Sequence, residues 1–365
     1  MKSLIDRYLK VIDWYIIRKY LGTFAFTIAI FMVIIVVFDV SEHLDNFLKN
    51  HAPLSAIAFQ YYAGYLPFYT NILLPLINFL AVIFFTAKMA NQTEIVPILS
   101  GKASFNRFLR PYFVSSSLIF IVFFLANLFL IPYTNKLDIA FENTYFNETD
   151  PTKSEVHMQL DKHTFVYLQS FNNEAHTGFN FMLEKFDGDQ MREKLTANTI
   201  LYDSLKHIWS IRDYQVREIN GMHEKLYTGP RKDTVLDMRP ADFEARDNIY
   251  RAMSMSELEK NINREKIRGT GVLTDMLFEK YRRFVYPLSS YVLMVIGVSI
   301  SSRKVRGGIG LPLGIGIFLC FTYIVVDRFA FVFSIKGGLP PIIAVFIPNV
   351  TFGLLGYYLL RKAPK

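Results

Sequence analysis

Residues 21–40 read LGTFAFTIAIFMVIIVVFDV, twenty positions whose only charge is Asp39. A helix needs roughly 20 apolar residues to cross a hydrocarbon core of about 30 Å, so this stretch predicts a membrane span. A long charged segment precedes it, its apolar part exceeds a usual signal core, and FDVSEHL has no A-x-A-like site. It is therefore expected to stay in place as a span. Working outward, five more runs reach spanning length, at residues 63–87, 109–131, 284–301, 309–333 and 340–360. Composition agrees: 52% of the 365 residues are hydrophobic, with 34 Phe and 21 Tyr, more than one water-soluble core normally uses. Pro67 and Pro75 in the second run and Pro348 in the last each remove a backbone donor, which predicts kinks.

Orientation follows from the cations. Lys2, Arg7, Lys10, Arg18 and Lys19 precede the first span, and Lys88, Lys102, Arg107 and Arg110 separate the second and third. Arg303, Lys304 and Arg306 separate the fourth and fifth, and Arg361, Lys362 and Lys365 close the chain. The opposite short loops carry only Lys49 and Lys336. The positive-inside rule then puts both termini and residues 90–112 in the cytoplasm. The net charge of +8 is mostly a topology signal, and nucleic-acid binding is not expected.

The long segment at about 132–281 lies outside on this reading. HTFVYLQSF, GFNFMLEKF, LTANTILYD and HIWSIRDYQV are short aromatic and β-branched runs, parted by Asn172-Asn173, Asp187-Gly188 and Asn220-Gly221. That spacing predicts an antiparallel sandwich or open barrel. Ser254 or Ser256 is placed to cap a helix through SELEKNINREKI that leads back to the membrane. The single cysteine, Cys320, lies in the fifth span, so the external domain holds no disulfide.

Between the second and third spans, ANQTEIVPILSGKAS (90–104) is structured rather than plain loop. Ile95, Ile98 and Leu99 fall on one face at helical spacing, and Gly101 stops the helix. Asn91 and Glu94 match a capping box, but that start would leave Pro97 in the helix interior. A start near Glu94 puts Pro97 in the first turn and frees Glu94 for a partner at the positive end of the dipole. LSGKAS is no phosphate-binding loop: Val96 stands where the first glycine belongs, and Ala103 follows Lys102. No His-Glu-x-x-His pair, Gly-x-Ser-x-Gly elbow or metal-ligand cluster is visible, so neither enzymatic activity, cofactor nor metal is expected. Asp39, Glu42, Asp327 and Arg328 are ionisable residues near span ends, where function and simple hydration compete as explanations.

These stretches together resemble the LptF/LptG permeases, membrane subunits of the ABC machine that exports lipopolysaccharide. ANQTEIVPILSGKAS resembles that family's coupling helix, YPLSSYVLMVIGVSI the start of its fourth span, and DRYLKVIDWYIIRKYLGTF its amphipathic N-terminal helix. GGLPPIIAVFIPN resembles its last-span motif, in a form closer to LptG. The resemblance covers the whole chain. It implies an α-helical membrane protein of six transmembrane helices (3+3) with an inserted periplasmic all-β, jellyroll-like domain. Residues 1–132 would form one membrane half, 133–281 the periplasmic domain and 282–365 the other half.

The resemblance further implies a multi-pass inner-membrane transporter subunit without ATPase activity of its own. Its partners would be a cytoplasmic ABC ATPase, a second permease of the family, periplasmic jellyroll bridge proteins and lipopolysaccharide. Glu94, Ile95, Ile98, Leu99 and Gly101 would couple to the ATPase at about residues 91–101. A cavity between spans one and five would be lined by Phe31, Phe38, Glu42, Phe318, Tyr323, Asp327 and Phe331, with Phe24 as a further apolar candidate. One departure stands out: FDVSEHLDNFLKN is acidic apart from Lys49 and His43 where a family member carries lysines, so contact with lipid phosphate is not expected there. The alternative function is an ABC permease for another lipid or lipoprotein.

Overall fold

The computed structural model describes residues 10–101, 104–146, 152–172, 175–243, 249–269, 271–303 and 308–363. Two compact units emerge. One comprises Met1–Phe146, Arg251–Ser254 and Leu277–Lys365, the other Asn147–Tyr250 and Met255–Met276.

The first unit is helical. Its elements before the inserted segment include α1 (Val11–Lys49), α2 (Tyr62–Ile72, entered through a helical turn at Leu54–Ala56 and a π-helical turn at Ile57–Tyr61), α3 (Leu74–Asn91), α4 (Ile95–Ser100), α5 (Phe105–Leu125) and α6 (Ile131–Tyr145). Among the described residues, six helical rods are long and apolar enough to cross a membrane: Val11–Lys49, Leu74–Asn91, Phe105–Tyr145, Leu273–Ser301, Gly310–Lys336 and Pro341–Arg361. The described part of the amphipathic N-terminal stretch is continuous with the first span as one helix, α1. Pro67 and Pro348 lie inside helices, and the second run breaks instead at Leu73. Pro75 follows in the first turn of α3, where a missing N–H costs nothing. A π-helical turn at Ala126–Leu130 joins α5 to α6, and Pro132 falls in the first turn after it, so the rod continues past the third apolar run. Asn127 in that turn exchanges side-chain hydrogen bonds with Asn71 at 3.0 and 2.8 Å.

A buried polar knot ties the spans together. Tyr20 Oη donates to Asn78 Oδ1 at 2.7 Å and lies 3.0 Å from Ser116 Oγ, while Asn78 Nδ2 donates to Ser290 O at 3.0 Å. In a membrane such groups have no water to turn to, so mutual pairing is what makes them tolerable. Close packing does the rest: a Cβ on Gly297 would stand 2.9 Å from Val82 Cγ1.

The second unit is built on six strands: β1 (Thr152–Gln159), β2 (Thr164–Asn172), β3 (Thr177–Asp187), β4 (Gln190–Asp203), β5 (Ile208–Asn220) and β6 (His223–Thr234). They pair antiparallel in chain order as one sheet. Each strand's neighbour in sequence is its neighbour in space, the arrangement of an opened-out meander. Gly188 and Gly221 take positive φ of 62° and 64° in two of the tight turns expected from sequence; Asn173 lies outside the described residues. Leu168, Phe171, Phe181, Ile200, Trp209 and Ile211 fill one face beneath Met238 and Phe243. Trp209 Nε1 donates to Met238 O at 3.0 Å, pinning that cover. After the sheet comes α7 (Met255–Arg268), starting directly after Ser254. Its Arg268 pairs with Asp242 at 2.6 Å and donates to Asp237 O at 2.7 Å. The chain closes with α8 (Leu273–Val285), α9 (Ser289–Ser301), α10 (Gly310–Lys336) and α11 (Pro341–Arg361).

Candidate functional site

The link between α3 and α5 is a wound turn. Gln92 and Thr93 donate backbone N–H groups to Lys88 O and Ala90 O, and Glu94 N reaches Met89 O at 2.9 Å. Thr93 takes a left-handed φ of 57° to make the reversal. Asn91 is the last residue of α3, so the Asn91–Glu94 capping box is absent. Glu94 occupies the N-cap position of α4 without bonding its own helix through its side chain. Pro97 is therefore the third helical residue, whose N–H would have no intrahelical acceptor in any case.

The Glu94 carboxylate is committed to α1. It accepts from Tyr15 Oη at 2.9 Å and from Lys19 Nζ at 3.1 and 3.2 Å, and the Lys19 ammonium also sits 4.3 Å from the Tyr15 ring centroid. A second tie lies nearby. Arg107 grips Asp13 in a two-pronged bond, Nη1 to Oδ1 at 2.7 Å and Nη2 to Oδ2 at 2.5 Å, while Asp13 Oδ2 also accepts from Lys10 N at 2.7 Å. The two pairs differ in weight. Lys19 and Glu94 are each about a third exposed, which limits that pair to about 1 kcal/mol or less. Asp13 is buried, so losing its cation strands a charge, at about 3 kcal/mol.

The faces of α4 follow. Ile95, 2% exposed, enters one apolar cluster with Ile16 and Tyr20 of α1 and Phe105 and Phe108 of α5, and Ile98 and Leu99 pack half-buried against it. The outward face is Val96, Pro97 and Ser100, with Val96 at 59%, flanked by exposed Gln92 and Thr93 of the preceding turn and by exposed Gly101. The five residues expected to couple are thus together in space. Ile95, Ile98 and Leu99 nonetheless turn toward the chain's own core, because α4 is too short to stand without an apolar anchor.

The expected cavity residues divide. Phe38 and Phe318 are 73% and 69% exposed, and Glu42 is also exposed. Phe31 is half-buried between two apolar clusters, and Phe331 packs edge-on against Phe278 at 4.9 Å. Tyr323 is only 1% exposed, donating to Asn349 Oδ1 at 3.2 Å and stacking edge-on against Phe352. As the chain stands alone, Tyr323, like the buried Phe24, is core rather than lining. Asp327 is buried within 3.7 Å of Arg282 Nη2. The open apolar stripes run through Phe26, Ile30, Val33 and Val37 on α1 and, with the expected Phe318, through Ile315, Val325 and Phe329 on α10.

Asp39, singled out in the sequence only as an ionisable group near a span end, is the centre of a hub whose tyrosine partners sequence reasoning missed. Its buried carboxylate accepts from Tyr61 Oη at 2.6 Å and Tyr62 Oη at 2.9 Å, with His43 Nδ1 at 3.0 Å. Three partners meet the hydrogen-bonding demand of a buried carboxylate. The helical i,i+4 spacing to His43 was legible, but nothing local signals the two tyrosines.

A family model described as lipopolysaccharide export system permease LptF/LptG matches residues 14–362. No curated protein matches the chain.

Proposed function

The chain belongs to the LptF/LptG family of lipopolysaccharide export permeases, and from that premise we propose that it is one permease half of an ABC exporter that lifts lipopolysaccharide out of the inner membrane. Both termini and α4 face the cytoplasm on this reading, and the inserted β domain faces the periplasm, in keeping with the cation distribution. A separate ATPase docks on the outward face of α4 and the turn before it, at Gln92, Thr93, Val96, Pro97 and Ser100. A second permease encloses the lipid with the open stripes of α1 and α10. The β domain hands the lipid to jellyroll bridge proteins by offering a strand edge.

The observation that carries this reading is the attachment of α4 to α1. The bond of Glu94 to Lys19 and Tyr15, with Ile95 wedged against Ile16 and Tyr20, makes the small helix a handle on the span that carries an open apolar stripe farther along its length. Displacement of α4 by an ATPase therefore moves α1, and with it one wall of the lipid path. Interfaces between packed elements respond to such pushes as discrete shifts rather than by gradual deformation.

Co-purification tests the proposal. The full chain is expected to bring down an ABC ATPase and a second family permease, and a Val96→Asp variant is expected to lose the ATPase while remaining inserted and folded. Purification without any ATPase would overturn the reading.

A further inference from the structure

The β domain carries a groove that the export reading leaves unused. It has a volume of about 530 Å³, within the range of small-molecule sites. Most of its lining comes from residues on the sheet face opposite the core, with the core residues Met158 and Val166 also bordering it. Cross-strand register sets His157, Tyr167 and Met182 in one row of β1, β2 and β3, and Phe165 beside Glu184 in the next. Phe165 is 40% exposed and is propped at a right angle by Phe186, 5.6 Å away. The Tyr167 ring lies 4.7 Å from His157. Lys162 in the β1–β2 turn and Asp189 in the β3–β4 turn also line it.

The chemistry of these walls is selective. A fatty-acyl chain wants a closed, dry slot, yet this groove opens to solvent and places His157, Lys162, Glu184 and Asp189 around its rings. A phosphate wants concentrated positive charge, yet Glu184 is held by Lys194 at 2.9 Å and the lining carries the anionic Asp189 as well as Lys162, so positive charge is not concentrated there. What remains is a ligand that is flat and weakly apolar on one face, dense in hydroxyls at its edge, and uncharged where it binds. A pyranose ring fits that description: its axial C–H face packs on an aromatic ring, while equatorial hydroxyls both donate to carboxylates and accept from imidazole and ammonium groups.

We propose that the outer face of β1–β3 is an oligosaccharide-binding groove that holds the sugar portion of the exported glycolipid, with Phe165 and Tyr167 as the stacking platform and His157, Lys162, Glu184 and Asp189 as its hydrogen-bonding rim. The proposal rests on the reading of the chain as a lipopolysaccharide permease. It adds a contact with the carbohydrate, distinct from the apolar path along the spans.

The test is titration calorimetry on the full-length protein in detergent, with the lipid-free oligosaccharide released from lipopolysaccharide by mild acid as the probe. Wild type is expected to bind, and Phe165→Ala to bind about tenfold more weakly. Lys162→Gln with Asp189→Asn, both in exposed turns and remote from the core, is expected to weaken binding several-fold with the unfolding temperature unchanged. No binding by wild type, equal binding by the folded variants, or displacement of the probe by inorganic phosphate would overturn the proposal. ATP-driven release of lipopolysaccharide by the wild-type complex is measured in parallel. Release without oligosaccharide binding sinks the groove alone, whereas absence of release sinks the export reading.

Discussion

At the scale of single residues, burial decides which charges matter. Asp13 is buried and Glu94 is not, although each holds one cation across a large sequence separation. Arg107→Ala is expected to lower stability by about 3 kcal/mol by stranding the Asp13 carboxylate, and Asp13→Asn in the same chain to recover much of that loss. Thermal unfolding of the four proteins of this cycle in detergent measures both numbers. Lys19→Met behaves differently: stability should fall by about 1 kcal/mol or less, while on the proposed mechanism ATP hydrolysis continues with little lipid release. Equal losses of stability and release would contradict that split. Asp39→Ala leaves the Tyr61 and Tyr62 hydroxyls without their acceptor, at about 2–4 kcal/mol for two stranded donors. None of these partners was readable beforehand, since residues 22 to 94 apart in the chain meet only once helices pack.

At the scale of elements, legibility tracked amphipathicity. The four strands with alternating apolar residues were recognisable, and β2 shows why, with Thr164, Val166 and Leu168 buried in alternation. β1 (TKSEVHMQ) and β6 (HEKLYTGPRKDT) were not, because both are edge strands rich in polar residues and β6 is exposed along nearly its whole length. Edges need charge to resist pairing with other chains, and that charge erases the period-two signal. Inside the sheet, tolerance is small. A Cβ on Gly178 would stand 2.6 Å from Leu168 Cδ2 and 2.7 Å from Ile200 Cγ2. Gly178→Val is expected to destabilise the β unit by about 1–3 kcal/mol through overpacking, read as an earlier loss of β signal in circular dichroism while the helical signal persists.

At the scale of the whole molecule, the open apolar stripes of α1 and α10 are the surfaces the proposed second permease must cover. Phe26, Ile30, Val33 and Val37 repeat at helical spacing, as do Ile315, Phe318, Val325 and Phe329. With Cys320→Ser as background, a cysteine at Val33 is expected to cross-link to a neighbouring permease chain in intact membranes, and the cross-link to change when ATP analogues are bound. Labelling by lipid-phase reagents alone, with no protein cross-link, would rule this interface out. The sequence by itself determined the number and order of the spans, the inserted β segment and the isolated structured link at residues 90–104, because length and local composition govern whether a segment enters lipid or water. Only the tertiary structure decided that Tyr323 is core while Phe318 is open, that Ile95 turns inward, and that Glu94 answers to Lys19. Spans that are apolar on every side carry no periodic mark of which face is inward, so that choice belongs to the packing of neighbours and to the need of each buried polar group for a partner.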